Sequence, residues 1–548
     1  MARASTKSLA GKGCAIAWAL LVSACASSTP DTIVTNGRIF TANPAQPWAQ
    51  ALAIQGDRVV AVGDTATITA LAGSNTRRFD AGGRTVIPGF NDAHQHVAIG
   101  PPNDLLPLPF DPDVDQIADA LRAQLKTTPS DRLIRGDFSQ TAWGNPAFTR
   151  AWLDQVAPNH AVWLTAFTGH GALLNSKALQ LVAIDESIKN PDGGVFGRDE
   201  RGRLNGRLEE YAQSIAGRRA AIKTDAKEIL RIYRAFAAQA LAWGITSTQL
   251  LGDALPIAEA SKRLVEANIP LRMKVFRFPM REAGAETMDS RPTLPPQPSP
   301  YVDVRGMKWI LDGTPLERLG FMRAPYTDSP NERGRLNLPQ ARIDEFVGWA
   351  YGSEDLLAVH AFGDAAIEAY VAAVERAGRP EVWKQKRPRI EHGDMMSPDL
   401  IARVKAVGMV LVQNPTHFTV RDIFLARYGP ERVAWMQPMK SILKSGIPLA
   451  IGSDGVTNPF VNILAASTHP TNPKEAITRE EAVTAYTAGA AFAEFKEQEK
   501  GTLAVGMLAD LAVLSRDLFT APESEIEAIT SVLTILGGRV VHETGVVR

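Results

Sequence analysis

The 548-residue sequence has very little cysteine, since Cys14 and Cys25 are the only two. Both fall at the N-terminus, within or beside a predicted export signal. The mature fold is therefore expected to lack disulfides and cysteine nucleophiles. Apart from Cys25 as a lipid attachment point, it also lacks thiolate metal ligands. A metal site in this chain must use histidine, carboxylate or a modified side chain.

An excess of either charge is also absent, because 59 Lys and Arg residues balance 59 Asp and Glu residues. Without a basic surplus, nucleic acid is not the expected partner. The chain is 22% charged and 45% hydrophobic, with 43 Gly and 36 Pro. This composition is typical of globular proteins and excludes a disordered chain, a collagen-like repeat and a coiled coil.

The apolar run near the N-terminus is short. It covers residues 14–22 and follows the basic residues Arg3, Lys7 and Lys12. A bilayer-spanning helix needs about 20 apolar residues, so this run favours a signal peptide over residues 1–24. The following Val-Ser-Ala-Cys (22–25) resembles a bacterial lipobox. We expect an exported protein held in the cell envelope, in the outer membrane, by a lipid on Cys25 alone. The alternatives are ordinary cleavage at Ala-Cys-Ala (24–26), which gives a periplasmic protein, and a cytosolic chain.

Short apolar runs and amphipathic helical stretches alternate through the middle of the chain, which predicts an α/β fold. Eight such runs lie at residues 85–89, 244–248, 271–276, 306–311, 355–360, 387–392, 408–412 and 447–452. Eight strand–helix units favour a (β/α)8 TIM-like barrel, with its functional groups at the carboxyl ends of the strands.

The predicted domains follow from this pattern and from β-rich segments at both ends of the chain. After a linker at 25–30, residues 31–84 and 497–548 are expected to form a small β-sandwich built from both termini. The barrel takes residues 85–496, and about 97–240 is an inserted subdomain after strand 1, because this stretch is too long for one helix.

Polar side chains stand at the ends of four predicted strands. His94 and His96 follow strand 1 and share one strand face, while His360, His392 and Asp454 end strands 5, 6 and 8. A lone histidine at a strand end is more often a hydrogen-bonding loop residue. Five such groups converge on one point of a barrel, and four imidazoles with a carboxylate suit one or two zinc-like ions.

At this point the sequence resembles the amidohydrolase superfamily, and within it amidohydrolase family 3, the group that contains N-substituted formamide deformylase. The resemblance extends from about residue 31 to the end of the chain. It is carried by Pro-Gly-Phe-Asn-Asp-Ala-His-Gln-His (88–96), His-Gly-Ala-Leu-Leu-Asn-Ser-Lys-Ala-Leu (170–179), Lys-Trp-Ile-Leu-Asp-Gly (308–313), His-Ala-Phe-Gly-Asp-Ala-Ala-Ile (360–367), Arg-Ile-Glu-His (389–392), Gly-Ser-Asp (452–454) and Gly-Thr-Leu-Ala-Val-Gly-Met-Leu-Ala-Asp-Leu (501–511).

The resemblance implies a role for each ligand. His94, His96 and Asp454 would bind the more buried of two divalent ions, which we expect to be Zn²⁺, and His360 and His392 would bind the other. Lys308 would be carbamylated and bridge the two ions, because a carbamate offers anionic oxygens that an ammonium lacks. The alternative for Lys308 is an ordinary ion-paired lysine.

Such a site implies hydrolysis of a carbonyl–nitrogen bond (amide, N-formyl or carbamate-type) in a small molecule by a metal-bridging hydroxide. Asp454 would be the catalytic residue, passing the water's proton to the departing amine. The alternatives are hydrolysis of a lactone or ester by the same site, and a non-catalytic envelope protein with a binding or regulatory role.

The same stretches indicate candidate substrate-binding residues. His170 lies in the insert, and His417 follows strand 7 in Gln-Asn-Pro-Thr-His (413–417), where Asn414 departs from the family's usual Gln-Pro-x-His. Tyr326 is a further candidate, together with Trp143, Phe167 and Phe418. Asn91 and Asp92 are expected to support the histidine ligands. A homo-oligomer is compatible with the sequence, which does not specify the substrate.

Overall fold

The protein is described by a computed structural model that covers residues 29–252, 254–280, 295–455 and 457–547. The predicted export signal and the lipid attachment at Cys25 lie outside these residues. Among the described residues, no helix is long and apolar enough to cross a membrane.

The chain begins with short strands that form two sheets near the termini. In chain order these elements are β1 (Thr32–Thr35), β2 (Arg38–Phe40), β3 (Trp48–Ala49), β4 (Ala51–Gln55), β5 (Arg58–Gly63), α1 (Thr65–Ala70), β6 (Arg77–Asp80) and β7 (Thr85–Pro88). One sheet has the order β5-β4-β1-β6. Asp64 caps α1, its carboxylate accepting the Thr67 backbone N–H at 2.8 Å, which satisfies an otherwise free helical donor.

Next come β8 and the segment predicted as an insert. These elements are β8 (Phe90–Gln95), β9 (Asn103–Leu105), α2 (Val114–Gln124), β10 (Leu133–Phe138), α3 (Gln140–Trp143), α4 (Arg150–Val156), β11 (Val162–Ala166), β12 (Gly171–Leu174), α5 (Ser176–Leu181), β13 (Gly194–Arg198), β14 (Leu204–Glu210) and α6 (Tyr211–Lys223). Six of the strands form a sheet in the order β13-β14-β12-β11-β10-β9.

Alternating strands and helices follow. They are α7 (Ala226–Ala242), β15 (Ile245–Leu251), α8 (Ile257–Ala267), β16 (Arg272–Phe276), β17 (Val302–Asp303), β18 (Met307–Ile310), α9 (Gln340–Gly352), β19 (Leu357–Ala361), α10 (Asp364–Ala377), α11 (Pro380–Lys386), β20 (Arg389–His392), α12 (Pro398–Val407), β21 (Val410–Gln413), α13 (Arg421–Val433, kinked at Gly429), α14 (Met439–Ser445), β22 (Leu449–Ile451), α15 (Pro459–Thr468), α16 (Arg479–Thr484) and α17 (Ala490–Ala493). Single 3-10 turns occupy Pro415–Val420 and Pro473–Glu475, and a π-turn occupies Ala485–Gly489.

These strands pair in parallel in two sheets, β17-β16-β15-β8 and β18-β19-β20-β21-β22. In the described part of the chain, individual backbone hydrogen bonds connect the sheets at both edges. Lys308 N donates to Arg277 O at 2.9 Å, and Asp454 N donates to His94 O at 2.8 Å. Strands β19 to β22 are buried along their whole length, as expected when both faces of a parallel sheet are covered. The arrangement is an α/β fold consistent with a TIM barrel.

The last elements return to the first ones. They are β23 (Leu511–Leu514), α18 (Glu523–Ile526), β24 (Ser531–Leu536) and β25 (Arg539–Glu543). They form the sheet β25-β24-β23-β7-β2-β3, which therefore contains strands from both ends of the chain. Apolar side chains of this sheet and of the β5-β4-β1-β6 sheet share one buried cluster that includes Val34, Phe79, Val86 and Leu533.

The first of the eight predicted barrel runs is placed differently from the prediction. Residues 85–88 form β7, which pairs with β2 and β23 in the terminal sheet. The parallel strand that carries His94 is β8, which begins only two residues later. Gly89 links the two strands and donates to Asp510 O, while Phe90 N donates to Gly244 O. The predicted apolar run thus belongs to the terminal sheet, whereas β8, Phe-Asn-Asp-Ala-His-Gln, is buried but mostly polar and has no hydrophobic pattern that predicts a strand.

Candidate metal centre

The predicted ligands come together at the carboxyl ends of the parallel strands. His94 lies in β8, Lys308 in β18, His360 in β19 and His392 at the end of β20. Asp454 follows β22 by three residues, and its backbone N–H is fixed by His94 O. This convergence follows from parallel strand pairing, which puts all carboxyl ends on one side.

The tightest cluster consists of His94, His392 and Asp454, whose ligand atoms all lie within 4.8 Å of one another. Asp454 Oδ1 lies 3.7 Å from His94 Nε2 and 3.3 Å from His96 Nε2. Its other oxygen, Oδ2, lies 3.6 Å from His392 Nδ1. His96 is the most exposed of these groups, with 46% of its side chain accessible. One carboxylate therefore faces the imidazoles of three predicted ligands.

Lys308 is buried beside this cluster, with its Nζ 3.4 Å from His94 Nε2. Burial lowers the pKa of Lys308 to about 8. Among the described residues it forms no ion pair, which argues against the ordinary ion-paired lysine. The lowered pKa increases the fraction of neutral amine, which is the form that reacts with CO2.

His360 lies next to the cluster, with its ring centre 4.4 Å from that of His392. Its Nε2 is buried and has no hydrogen-bond partner in the described part of the chain. The closest carboxylate oxygen to it, Asp312 Oδ1, is 3.7 Å away. A buried polar atom without a partner costs free energy, and a bound cation would supply the missing partner.

Burial also lowers the pKa values of His94, His360 and His392 well below that of free histidine. These imidazoles are therefore neutral near pH 7 and expose a lone pair. Neutral imidazole and ionised carboxylate are the forms that bind zinc-like ions. The donor set therefore fits a divalent cation.

Two supporting residues were not assigned roles from the sequence. Glu391 accepts a hydrogen bond from His94 Nδ1 at 2.6 Å and is held by the Arg389 guanidinium at 2.7 and 3.0 Å. Both side chains are fully buried. Such a carboxylate fixes the tautomer of a ligating histidine, so that Nε2 faces the metal. The sequence does contain one signal for this pair, because Arg389 and Glu391 are charged residues at alternating positions of a buried strand.

Asn414 is the second supporting residue without an assigned role, and its contacts give a structural role to the position at which Gln-Asn-Pro-Thr-His (413–417) departs from the family pattern. Its Oδ1 lies 2.8 Å from His392 Nδ1, and its Nδ2 donates to Gly452 O at 2.9 Å. It therefore connects the His392 ligand to the loop that carries Asp454. The departure from the family pattern falls on a residue that contacts a predicted ligand.

The two predicted supporting residues near His94 differ in what they contact. Asp92 accepts hydrogen bonds from the Ser453 backbone at 2.8 Å and from the Ser453 hydroxyl, so it holds the turn before Asp454. Asn91 instead donates to Glu494 at 2.7 Å, away from the ligands.

A cavity of about 390 Å³ opens onto the metal centre. His360, His392 and Asp454 lie among its lining residues, and so do His170 and His417. Most of its remaining wall is apolar and consists of Phe110, Phe167, Leu316, Phe362, Val420, Ile423 and Phe424.

The predicted substrate-binding residues divide into two groups. Phe167, His170 and His417 line the cavity. Tyr326 does not, because its ring is 1% exposed and its hydroxyl donates to Gly320 O at 2.6 Å. Trp143 and Phe418 are also placed elsewhere, against Phe138 and His469 respectively. Aromatic character alone therefore did not identify the lining residues.

His170 and His417 are both paired with buried carboxylates. His170 Nδ1 lies 3.0 Å from Glu210 Oε2. His417 Nδ1 lies 2.6 Å from Asp394 Oδ2, and its Nε2 lies 3.2 Å from Asp454 Oδ2. Burial opposes protonation of both rings, but the carboxylates outweigh it and raise the pKa to about 9 for His170 and about 10 for His417. Both rings therefore present N–H donors.

The chain is similar to known proteins over most of its length. The sequence profile of the amidohydrolase family matches residues 77–542. The protein LONG AFTER FAR-RED 3 of Arabidopsis thaliana is 27% identical over 546 residues, covering 93% of this chain and 91% of its own length. N-substituted formamide deformylase of Arthrobacter pascens is 25% identical over 551 residues, covering 94% and 98%.

A solved structure gives the same fold. The crystal structure of an uncharacterized metal-dependent hydrolase from Pyrococcus horikoshii superposes with a TM-score of 0.71 at 21% identity. The match covers 90% of this chain and 99% of that one.

Proposed function

The chain belongs to the amidohydrolase family, and from this premise we propose that this metal-dependent hydrolase cleaves the carbonyl–nitrogen bond of a small, uncharged, apolar substrate. The bond is that of an amide, an N-formyl group or a carbamate-type group. The observation that carries the proposal is the His94–His392–Asp454 cluster, with Lys308 beside it, at the end of an apolar cavity.

We assign two divalent ions to these ligands, most simply Zn²⁺. His94, His96 and Asp454 would hold one, and His360 and His392 the other. Lys308, as its carbamate, would bind both. When bound, such ions polarise a carbonyl oxygen and lower the pKa of a water molecule to about 7.

A bridging anion is needed because two dications a few ångströms apart repel each other strongly. The position of the Lys308 side chain supports the proposal that its carbamate is this bridging anion. Its Nζ is directed to His94, it is buried, and it has no carboxylate partner among the described residues. The lowered pKa of its amine favours reaction with CO2.

Asp454 is the residue proposed to move the proton. Its Oδ1 faces His94 and His96, while Oδ2 lies 3.2 Å from His417 Nε2 and next to the cavity. One carboxylate can thus face the ions on one side and receive a proton from the attacking water on the other. The same oxygen can return that proton to the departing amine. His417 orients the carboxylate by donating to Oδ2.

The cavity lining supports the proposed substrate class. No Lys or Arg occurs among its described lining residues, and two of its four lining histidines, His170 and His417, are already paired with carboxylates. Away from the metal centre, a substrate carboxylate would therefore find no free cation among these residues, and burying an unpaired charge is costly. The phenyl and aliphatic walls favour an apolar substituent on the acyl or amine side.

The test is a matched substrate panel with zinc-replete protein. It compares the N-formyl and N-acetyl derivatives of an apolar amine, the ester of the same shape, a lactone and an N-acyl amino acid. We expect the amides to be hydrolysed with kcat/KM above that of the ester. The N-acyl amino acid, which is the charged member of the panel, should have a kcat/KM at least about tenfold below that of the amides, a difference of about 1.4 kcal/mol in activation free energy.

Each alternative function gives a different result. Faster turnover of the ester or lactone, with amides untouched, would establish carbon–oxygen hydrolysis. Binding of the compounds without turnover of any of them would indicate a non-catalytic binding or regulatory protein. The His392→Ala variant controls for contaminating hydrolases, because it should lose whatever activity the wild type has.

A further inference from the structure

A second cavity, of about 200 Å³, lies apart from the metal centre. Its walls come from strands β10 and β11 of the insert sheet, from helix α6 and from the loop at residues 98–101. None of its described lining residues is a predicted metal ligand or lines the first cavity. It is therefore a separate site, and nothing in the proposed reaction uses it.

Three polar atoms of residues in this wall lack hydrogen-bond partners. They are Trp163 Nε1, Thr165 Oγ1 and Gln213 Oε1, all buried and unpaired in the described part of the chain. Trp163 is only 5% exposed. Buried polar groups are nearly always paired, and leaving one unpaired costs about 1–3 kcal/mol. Three such groups at one small cavity make it a candidate site for a polar ligand.

Arg135 gives this cavity a positive charge. It faces Trp163 across the β10–β11 pair, with its guanidinium 5.6 Å from the centre of the indole ring. Its guanidinium forms no hydrogen bond or ion pair with any other described residue. Burial lowers the pKa of Arg135, and the charge of Asp137, two residues along β10, partly offsets this effect. A half-buried guanidinium without a polar partner is unusual, because its donors match a carboxylate or a phosphate.

The rest of the wall is apolar and includes Ile99, Leu133, Phe278 and Met280. A cavity of 200 Å³ is smaller than the roughly 300–1,000 Å³ typical of pockets for drug-sized ligands. A ligand of this site therefore has few atoms, one anionic end and an apolar body, which describes a carboxylic acid better than a phosphate.

We propose that this second cavity binds a small monocarboxylate with an apolar body. Its carboxylate accepts hydrogen bonds from Arg135 and Trp163 Nε1, and its body lies against Leu133 and Phe278. Thr165 completes the polar end with a hydroxyl that can donate or accept. The Gln213 side-chain amide carries both a donor and an acceptor, so it can pair with either a carboxylate oxygen or a hydroxyl on the ligand.

The test measures binding of acetate, butyrate and benzoate to the zinc-replete protein by calorimetry, with benzamide as the uncharged analogue of benzoate and inorganic phosphate as a compact anion. We expect benzoate or butyrate to bind at least tenfold more tightly than benzamide or phosphate. Benzamide lacks the negative charge, and phosphate lacks the apolar body. Arg135→Gln and Trp163→Phe should each weaken this binding about tenfold. The Phe substitution keeps the ring and removes only the N–H donor, so it remains informative if Arg135→Gln folds poorly.

Two controls locate the binding. Arg78→Gln removes an exposed arginine of β6 and should leave the affinity unchanged. Asp454→Ala disrupts the metal centre and should also leave it unchanged, which excludes carboxylate binding to zinc. The proposal is overturned if none of the three carboxylates binds, if phosphate binds as tightly as benzoate, or if binding is lost in Asp454→Ala but kept in both Arg135→Gln and Trp163→Phe. The hydrolase proposal is unaffected by any of these results, because its readout is turnover of amides.

Discussion

Asp454 is the residue on which the metal centre is organised. Its backbone N–H is bound by His94 O, and its two oxygens face different groups of imidazoles. Its main chain adopts a left-handed conformation, with φ of 47°, which a non-glycine residue adopts only where the surroundings enforce it. Here Asp92 enforces it by binding both the backbone and the hydroxyl of Ser453.

Lys308 gives the first prediction at this scale. Lys308→Ala should lose most bound metal and nearly all hydrolysis, since the only other anionic side chain of the proposed ligand set, Asp454, is assigned to one ion. Lys308→Glu should retain more metal than Lys308→Ala, because its carboxylate reaches part of the same space. The measurements are metal content by elemental analysis and kcat/KM for the best substrate of the panel.

The matched control is Lys444→Ala, which removes an exposed lysine of α14. It should retain normal metal content and rate. Added bicarbonate or a short carboxylic acid should partly restore the metal content and rate of Lys308→Ala, because the added anion can occupy the space that the lysine side chain leaves. A Lys308→Ala protein that keeps two metal equivalents and its rate would show that the lysine is structural.

Asn414 gives the second prediction, because it orients His392 without contacting the substrate. Asn414→Ala removes the acceptor for His392 Nδ1, so the ring is free to rotate. We expect metal affinity to fall about 10- to 100-fold, as is typical when such partners are lost. The check is competition with a chelator of known affinity, alongside circular dichroism to verify folding. Asn331→Ala, at an exposed loop position, is the control, and equal affinities in the two variants would contradict the assignment.

At the scale of elements, the sequence pattern predicts that strands occur but does not predict where each strand begins and ends. Fully buried strands such as β19 and β21 lie in predominantly apolar runs that follow Asp355 and Gly408, so their existence could be predicted. The division between β7 and β8 could not, because β8 is mostly polar and lacks the apolar pattern of a buried strand. Only the pairing partners, β23 on one side and β15 on the other, distinguish the two strands.

The residues that converge at the candidate metal centre could be identified from the sequence for a similar reason, but the side chains that contact them could not. His94, His360 and His392 are polar groups at the ends of apolar strands, and such positions stand out in a sequence. Glu391 belongs to a buried strand and contacts His94 across the fold, at a sequence separation of 297. The second cavity likewise depends on where α6 lies against the insert sheet, and no local sequence pattern encodes that packing.

Gly89 gives a prediction at this scale, because it is the link between the terminal sheet and β8. A Cβ atom built on it would lie 2.2 Å from Thr246 Oγ1 and 2.4 Å from Thr246 Cγ2. We expect Gly89→Ala to lower the free energy of unfolding by about 1–3 kcal/mol through overpacking. A urea titration measures this. Gly348→Ala in α9, where an added Cβ meets nothing within 4 Å, should be neutral or slightly stabilising, and equal effects of the two changes would refute the close approach.

At the scale of the whole molecule, the proposed metal ligands and the cavity walls come from different parts of the chain. The parallel strands supply the ligands, while Phe110, Phe167 and His170 of the insert close over them. Phe110 and Phe167 are 58% and 37% exposed and their ring centres lie 4.9 Å apart. An exposed aromatic pair at the mouth of a cavity suits an apolar substrate. Substrate choice can therefore change in the insert without disturbing the metal centre.

The location of the molecule in the cell is a separate proposal, which rests on residues 1–25 of the sequence. We expect the full-length protein, produced in a Gram-negative host, to fractionate with membranes and to incorporate labelled fatty acid. Cys25→Ala should abolish the labelling, since the acyl chains attach to that residue. Equal labelling of this variant, or a fully soluble wild type, would favour ordinary cleavage and a periplasmic protein.

The final prediction concerns the stability of the whole fold, which the metal centre should govern. The ligands lie on β8, β19, β20 and the segment after β22, so a bound ion connects strands of both parallel sheets. An ion that binds only the folded state stabilises it by about 2.7 kcal/mol when its free concentration is 100 times its Kd. Chelation should therefore lower the Tm and abolish hydrolysis together, and added zinc should restore both. His392→Ala should have a lower Tm that zinc no longer raises. His160→Ala should respond to zinc like the wild type, because that histidine lies in the insert and contacts Thr128 O instead. A chelated wild type with unchanged Tm and full activity would contradict the metal centre, because neutral, buried imidazoles with no bound cation would then be sufficient for both folding and catalysis.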